Sequence, residues 1–372
     1  MPNFSSLYLH FPFCESKCHY CDFYSIGRER TREGDPDQFI QALRKETELR
    51  VPSFAQEIDT IFMGGGTPSM TPPDDMAFAL EPLLSSSRLG PGGEWTMEAN
   101  PSSVDTGRLK QYRALGVNRI SMGVQSMNDE LLLRLGRVHS REKALESLDA
   151  IFAAGLQNVS VDLICGVPGQ TLHDLESALA SLTAFPITHL SCYLLTLPKH
   201  HAMYKDLPKD DIQLQHLLKI HDWMTARGFE HYEISNFAKP GKRARHNLAY
   251  WKGASYLGLG PSAHSFDRSS QRRWKNVSSL HKYSELLQGG TIPQDTEEFL
   301  SPAQLELEKW MLALRLDEGF PVTWLETPAQ KNRASQLEKE GYLEPHPVEP
   351  LKIRLTPRGF AVSDSIIQAL SP

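Results

Sequence analysis

Three cysteines lie close together near the start of the chain, in the segment "CESKCHYC" at positions 14–21. Their spacing, Cys14-x3-Cys18-x2-Cys21, puts three soft thiolates on one short loop directly after the strand-like run "LYLHFPF". Iron–sulfur clusters and zinc both bind ligands of this kind. Three cysteines leave one position of a tetrahedral zinc site, or one iron of a four-iron cluster, without a thiolate. The pattern predicts a metal centre whose remaining ligand comes from elsewhere.

Zinc is the alternative to an iron–sulfur cluster, because His10 and His19 lie close enough in sequence to complete a Cys3His site. Zinc ribbons, however, usually draw their thiolates from two separated pairs, and no second pair follows downstream. Cys165 and Cys192 sit singly in apolar runs, which indicates buried structural thiols. The spacing favours an iron–sulfur cluster and leaves zinc open.

Polar side chains follow several strand-like runs at the point where each run ends. The glycine-rich stretch "FMGGGTPS" (62–69) leaves such a run, and Glu98, Asn100, Gln125 and Asp162 lie at or near the ends of the next three. Each alone is more often an ordinary turn or a satisfied polar residue. In a barrel of parallel strands these ends meet on one face, so together the residues predict a single binding cleft.

The elements that must position these residues are β-rich runs alternating with helix-length segments. The runs cover residues 7–12, 58–65, 95–100, 119–125, 158–164 and 189–195. Repeated β–α units of this length indicate parallel strands joined by right-handed crossovers. Six units favour an α/β fold built as a partial or full (β/α) barrel, with an open doubly wound sheet as the alternative.

The pattern changes near residue 236, where a segment rich in glycine, proline and aromatic residues predicts irregular structure. An amphipathic helix is predicted over 303–316, and residues 351–370 read as a strand and then a helix with Thr356 at the N-cap. We therefore predict three regions. These are a core barrel (1–236), a connecting segment (237–290) and a small helical, winged-helix-like C-terminal domain (291–372).

The net charge and the distribution of apolar residues restrict the kinds of partner that the protein can bind. The formal net charge of −6 argues against a nucleic-acid-binding surface. No apolar run approaches the ~18–20 residues of a membrane span, and no secretory signal is visible at the N-terminus. A cytoplasmic protein that binds no nucleic acid is expected, with peripheral membrane association left open.

Several short motifs resemble those of known families. The three cysteines, with an aromatic residue before the last, and "GGGTPS" resemble the radical S-adenosylmethionine (SAM) superfamily. Over essentially the whole chain, "YLHFPFC", "GGGTP", "EANP", "GVQS", "LGRVH" and "DLICGVPGQT" resemble the anaerobic coproporphyrinogen III oxidase family. The resemblance implies a 4Fe–4S cluster on Cys14, Cys18 and Cys21, with S-adenosylmethionine on the remaining iron.

The resemblance also implies a set of SAM contacts, carried over motif by motif: Tyr8, Tyr20, Gly65, Gly66, Thr67, Glu98, Gln125, Arg137, Asp162 and Thr196. Glu98 or Asp162 can accept hydrogen bonds from ribose hydroxyls or the ammonium group. Arg137 can pair with the SAM carboxylate, and Tyr20 offers a ring face to the adenine.

The chain departs from the oxidase pattern in ways that match the heme chaperone subfamily HemW. Phe23 stands where the oxidases have a fourth cysteine, and the oxidases' N-terminal extension is missing. "HNLAYW" (246–251) resembles the subfamily's HNxxYW motif, which implies heme binding by His246, Asn247, Tyr250 and Trp251. Outside that context, His246 would read as a solvated histidine in a basic loop.

The resemblance favours a heme chaperone over an enzyme, so no catalytic residue is assigned. The expected activity is transfer of heme to an acceptor protein, for which a respiratory protein is one candidate. An electron donor is implied if the cluster is redox-active. The alternative is an oxygen-independent oxidase that decarboxylates coproporphyrinogen III.

Overall fold

The computed structural model describes residues 3–371. Its strands in chain order are β1 (Ser6–Phe11), β2 (Phe13–Cys14), β3 (Ile26–Gly27), β4 (Glu57–Gly65), β5 (Arg88–Ala99), β6 (Arg119–Gln125), β7 (Asn158–Cys165), β8 (His189–Leu194), β9 (Glu230–Glu233), β10 (Asn236–Ala238), β11 (Leu257–Leu259), β12 (His264–Asp267), β13 (Arg272–Asn276), β14 (Gln294–Phe299), β15 (Phe320–Pro321), β16 (Leu343–Pro345) and β17 (Lys352–Leu355). Its helices are α1 (Asp35–Arg50), α2 (Pro73–Ser86), α3 (Thr106–Leu115), α4 (Asp129–Arg134), α5 (Arg141–Ala153), α6 (Leu172–Thr183), α7 (Asp210–Thr225), α8 (Arg245–Trp251), α9 (Leu280–Gln288), α10 (Pro302–Ala313), α11 (Pro328–Lys339), α12 (Pro357–Phe360) and α13 (Ser363–Leu370).

The chain divides into two compact units. Unit 1 comprises residues 3–163, 181–188 and 254–299, and unit 2 comprises 164–180, 189–253 and 300–371. In unit 1 the strands lie in the order β11-β1-β4-β5-β6-β7, and each neighbouring pair is parallel. Each of the six predicted β-runs overlaps an observed strand. The predicted parallel α/β architecture is confirmed.

The central strands of the parallel sheet in unit 1 are largely apolar because such a sheet, when covered by helices, is buried on both faces. In β6, Ile120, Met122 and Val124 are fully buried, and polar Gln125 lies at the strand's carboxyl end. The Asp105 side chain caps the start of α3 by accepting a hydrogen bond from the Arg108 N–H. Gly116, whose φ is +126°, caps the end of the helix. The carboxyl ends of the strands are therefore where polar residues become available for a site.

A buried carboxyl group joins α1 to the segment 254–299. Glu46 accepts hydrogen bonds from the Gly260 N–H at 2.7 Å, the Asn276 amide at 2.8 Å and the Tyr283 hydroxyl at 2.7 Å. Burial raises the pKa of Glu46, and the three donors satisfy its oxygens. This network fixes β11 beside β1, although the two strands are far apart in sequence.

In unit 2, β8, β10 and β9 form an antiparallel arrangement. The C-terminal part of the unit packs α10 to α13 with the small sheet β15-β17-β16 around buried Trp310, Phe320, Leu337 and Leu355. The Thr356 hydroxyl accepts from the Gly359 N–H at 3.1 Å, which confirms the predicted N-cap.

The segment after residue 236 is more regular than its composition predicts, because it contains β10, α8, β11 and β12. These elements are three to seven residues long, too short for a hydrophobic period to be visible in the sequence. None of the described helices is long and apolar enough to span a bilayer.

Candidate functional site

The three clustered cysteines lie in unit 1 on residues 14–25, which we call the cysteine loop. Cys14 ends β2, and a turn closes where the Cys21 N–H donates to the Cys18 carbonyl oxygen at 3.2 Å. All three thiols are free and partly exposed. Burial raises the pKa of the Cys14 and Cys21 thiols, so they would ionise only when a metal's charge stabilises the thiolates.

The histidines near the cysteine loop do not complete a zinc site. The Tyr8 hydroxyl lies 3.0 Å from His10 Nδ1, and His10 Nε2 lies 2.7 Å from the Tyr24 carbonyl oxygen, so both ring nitrogens have partners. His19 Nδ1 lies 3.3 Å from the Arg134 carbonyl oxygen. In the described part of the chain, no three His, Cys, Asp or Glu side chains converge on a single-ion position. A four-iron cluster differs because it spreads its thiolates over separate irons.

The glycine turn that follows β4 is docked on the strand that leads to the cysteines. The Gly66 N–H donates to the Phe11 carbonyl oxygen and the Thr67 N–H to the Phe13 carbonyl oxygen, both at 2.7 Å. Gly65 has a φ of +101°, a conformation that disfavours other residues. A Cβ on Gly66 would lie 2.6 Å from the Phe13 carbonyl oxygen and 2.7 Å from that of Phe11. The chain's own packing therefore requires glycine at both positions.

A line of side-chain hydrogen bonds connects this turn to the cysteines. The Asn100 amide donates to Thr67 Oγ1 at 2.9 Å, and Arg137 Nη2 donates to Asn100 Oδ1 at 2.6 Å. At its two ends, the Thr67 hydroxyl lies 3.6 Å from Cys14 Sγ and Arg137 Nη1 lies 3.4 Å from Cys18 Sγ. Three separate segments thus hold two of the cysteines in place.

Two carboxyl groups, those of Glu98 and Asp162, influence one another electrostatically beside the turn. The Gly65 N–H donates to Glu98 Oε2 at 3.3 Å, and the Ser121 hydroxyl lies 3.1 Å and 3.0 Å from the two oxygens of Asp162. Burial, together with the negative charge of Asp162, raises the pKa of Glu98 to about 8. A pair of carboxyl groups that cannot both ionise easily is suited to a cationic ligand.

Arg137 brings positive charge to the same region. Besides its bonds to Asn100 and the sulfur, Nη2 donates to the Gly123 carbonyl oxygen at 2.8 Å. Its Nε is buried and has no hydrogen-bond partner within the described chain. Donors for a carboxylate and carboxyl groups for an ammonium or sulfonium thus lie in one unit, and this donor set fits S-adenosylmethionine.

Two further predicted contacts have distinctive environments. Burial raises the pKa of Tyr20, whose hydroxyl is hydrogen-bonded to Cys18. Gln125, at the end of β6, has a φ of +67°. That left-handed conformation is uncommon outside glycine, and strain of this kind is often found at ligand sites.

Unit 1 contains nine of the ten predicted SAM contacts, namely Tyr8, Tyr20, Gly65, Gly66, Thr67, Glu98, Gln125, Arg137 and Asp162. The tenth, Thr196, belongs to unit 2, where it is exposed. Sequence reasoning noted Asn100 at a strand end but not its role as the link between Thr67 and Arg137. The motif "EANP" was the available signal, but the partners of an asparagine cannot be read from its motif.

The predicted heme motif forms the short helix α8 in unit 2. His246 is only 1% exposed, so the interpretation as a solvated histidine in a loop is wrong. Its Nε2 lies 2.8 Å from the Tyr250 hydroxyl, and the two rings meet edge to face with centroids 4.7 Å apart. Nε2, one of the two ring nitrogens that could bind iron, therefore has a protein partner in this conformation.

The end of the same helix is held by a buried acid. The Trp251 side chain hydrogen-bonds to Glu233, and burial raises the pKa of Glu233 to about 7. Asn247 and Tyr250 are half-buried. The motif is therefore a packed element of unit 2 in which His246 is buried and Asn247, Tyr250 and Trp251 are half-buried.

Comparison with known proteins identifies the class. Residues 8–182 match the Radical SAM superfamily. The whole chain matches the structure titled "Coproporphyrinogen III oxidase (HemN) from Escherichia coli is a Radical SAM enzyme" with a TM-score of 0.82, covering 91% of that chain at 23% identity. At that identity the likeness shows the fold alone. Residues 8–182, which include the cysteine loop, therefore form a radical SAM domain.

Relatives in sequence narrow the family further. The chain is 33% identical over 372 residues to the heme chaperone HemW of Mycobacterium tuberculosis, covering 98% of this chain and 94% of that protein. It is 35% identical to the heme chaperone HemW of Bacillus subtilis, covering 84% of each. The chain belongs to the HemW heme chaperone family.

Proposed function

We propose that this protein binds heme and transfers it to an acceptor protein. The observation that carries the proposal is the similarity to relatives named heme chaperone HemW, which spans nearly the whole chain. The similarity to the coproporphyrinogen oxidase is lower in sequence and supports only a shared fold. The oxidase alternative is therefore not favoured.

Cys14, Cys18 and Cys21 are proposed to hold a 4Fe–4S cluster. When bound, such a cluster offers an iron without a protein ligand to the methionyl group of S-adenosylmethionine and supplies electrons to it. The protein's own part is positional. The hydrogen bonds of Thr67 and Arg137 to two of the sulfurs orient those ligands, and the Thr67 hydroxyl favours the thiolate form of Cys14.

The ten predicted contacts are proposed to bind S-adenosylmethionine as an exchangeable ligand. Glu98 and Asp162 would attract its cationic groups, and Arg137 would pair with its carboxylate through a donor that has no protein partner. Tyr20, on the cysteine loop, would lie against the adenine. Thr196 is retained as a contact contributed by unit 2.

Heme is proposed to bind through His246, Asn247, Tyr250 and Trp251. The imidazole of His246 would serve as an axial ligand after exchanging the Tyr250 hydroxyl for iron. Tyr250 and Trp251 would pack on the macrocycle, each contributing about 1–3 kcal/mol. A chaperone must also release its cargo, so an exchangeable protein partner for the imidazole suits the task.

The test is a heme titration of the full chain beside an anaerobic assay with coproporphyrinogen III. His246→Leu should weaken heme binding and change the Soret spectrum, whereas the exposed control His200→Leu should do neither. Bound heme should pass to an apo-acceptor faster than it dissociates into buffer. Robust protoporphyrinogen production by the wild type, or an unchanged titration of His246→Leu, would overturn the proposal.

The remaining expectations stay proposals. They are a heme acceptor, with a respiratory protein as one candidate, an electron donor for the cluster, a cytoplasmic location, no nucleic-acid partner and optional peripheral membrane association. We also propose the division into a core barrel (1–236), a connecting segment (237–290) and a winged-helix-like domain (291–372). The pairing of β13 with β14 crosses the second of these boundaries.

A further inference from the structure

Unit 2 contains a cavity of about 430 Å3, within the size range of small-molecule sites. Leu217, Ile220, Phe237 and Phe360 give it an apolar and aromatic lining. The ring of His231 also lines it, with its centroid 4.1 Å from that of Phe237 and 4.9 Å from that of Phe360. Burial lowers the pKa of His231 to about 3, so this ring is neutral. Such a lining is complementary to a flat, apolar ligand.

Arg315 and Asp364 are charged residues in the lining of this cavity. Arg315 Nη2 lies 2.7 Å from Asp364 Oδ1, and the two side chains are 23% and 84% exposed. Arg315 Nε is buried and has no hydrogen-bond partner within residues 3–371. An exposed acid holds a guanidinium only weakly, so a ligand carboxylate can replace Asp364 and use the vacant donor.

Arg315 lies close to Trp251, the last residue of the "HNLAYW" motif. Its guanidinium carbon lies 5.9 Å from the centre of the Trp251 ring. The Ile234 N–H donates to the Arg315 carbonyl oxygen at 3.0 Å, and the adjoining Glu233 is the hydrogen-bond partner of Trp251. The last residue of the motif and the charged part of the cavity lining are therefore neighbours within unit 2.

We propose that this cavity receives one edge of the porphyrin and that Arg315 binds a porphyrin carboxylate. The inference rests on the proposed heme-binding function and deepens it by naming a second anchor. An axial bond from His246 leaves the macrocycle free to rotate about that bond. A guanidinium holding a propionate through charge-assisted hydrogen bonds fixes the rotation.

The test compares heme with heme dimethyl ester, in which both carboxylates are blocked, on the full chain. Arg315→Leu should weaken heme binding about tenfold, the effect of losing a charge-assisted hydrogen bond. It should change binding of the ester by less than about twofold, since no carboxylate is lost. The surface control Arg333→Leu removes the same charge elsewhere in unit 2 and should change neither titration.

A second variant keeps the proposal testable if Arg315→Leu folds poorly. Asp364→Asn leaves the guanidinium in place and removes its competitor, so heme binding should tighten by about twofold to fivefold, the range for an exposed ion pair. Equal weakening of heme and ester by Arg315→Leu, or weaker heme binding by Asp364→Asn, would overturn the proposal.

Iron-free protoporphyrin IX separates this inference from the proposed function, because it has carboxylates but no iron for His246. If Arg315→Leu weakens protoporphyrin binding while His246→Leu leaves heme binding unchanged, the cavity is supported and axial ligation fails. If His246→Leu abolishes heme binding and Arg315→Leu changes no titration, axial ligation is supported and the cavity proposal fails.

Discussion

Tyr250→Phe should increase the affinity of the protein for heme. In the structure the Tyr250 hydroxyl lies 2.8 Å from His246 Nε2, and His246 is buried. The imidazole cannot bind iron through Nε2 while this contact persists. The substitution removes the hydroxyl and keeps the ring that packs edge to face against His246.

The magnitude follows from the value of one buried hydrogen bond. Such a bond stabilises the closed arrangement by about 0.5–1.5 kcal/mol. Because apparent affinity scales with the fraction of binding-competent protein, and about 1.4 kcal/mol corresponds to tenfold, binding should tighten by about twofold to twelvefold. The free energy of unfolding of the heme-free protein should fall by a similar amount, about 0.5–1.5 kcal/mol.

Heme titration followed by the Soret band measures the first quantity, and denaturant unfolding measures the second. Tyr342→Phe removes a hydroxyl elsewhere in unit 2 and serves as the matched control. Weaker heme binding by Tyr250→Phe would show that the hydroxyl contacts heme directly. Unchanged affinity would show that Tyr250 does not limit access to His246.

Two further predictions concern unit 1. Changing Cys14, Cys18 or Cys21 singly to alanine should abolish the broad absorption near ~400 nm of the anaerobically reconstituted protein. The control Cys192→Ala should retain this absorption. Zinc without sulfide in the wild type would contradict the proposed iron–sulfur cluster. Because the pKa of Glu98 is raised to about 8, its carboxyl group is protonated at pH 7 before a ligand binds. A cationic ligand lowers that pKa, so SAM binding should release up to about one proton near pH 7, measured by calorimetry in buffers of different ionisation enthalpy. The release should disappear in Glu98→Gln and fade above the raised pKa, where the free carboxyl group is already ionised; equal release by Glu98→Gln would exclude this carboxyl group.

The sequence predicted the parallel sheet of unit 1 well. It did not predict that His246 of the "HNLAYW" motif is buried. Long apolar runs in the sequence indicate β1, β4, β6 and β7, because parallel strands are buried on both faces. β11 was missed, since it has three residues and owes its place to Glu46, which binds Gly260 just beyond it. Its place in the sheet comes from a tertiary contact that no local pattern records.

Tertiary contacts also explain why the burial of His246 could not be predicted from the sequence. The basic residues before it suggest a solvated loop, but Arg243 is ion-paired with Asp317 at 2.7 Å and the Ala244 N–H donates to the Tyr232 hydroxyl at 3.2 Å. These partners come from distant segments and draw the start of α8 into unit 2. The motif "HNLAYW" gives the candidate side chains but does not reveal that the Tyr250 hydroxyl contacts His246 Nε2.

The glycine turn shows why membership of a ligand-binding motif should be distinguished from direct contact with the ligand. The resemblance implies that Gly66 contacts SAM, yet a Cβ there would first meet the carbonyl oxygens of Phe11 and Phe13. Loss of SAM binding in Gly66→Val would therefore not distinguish a ligand contact from a displaced strand. Glu98, with its raised pKa, and Arg137, with its unpartnered Nε, are different. The protein alone leaves one donor of Arg137 without a partner and disfavours the charged form of Glu98, so substitution of either residue reports on the ligand.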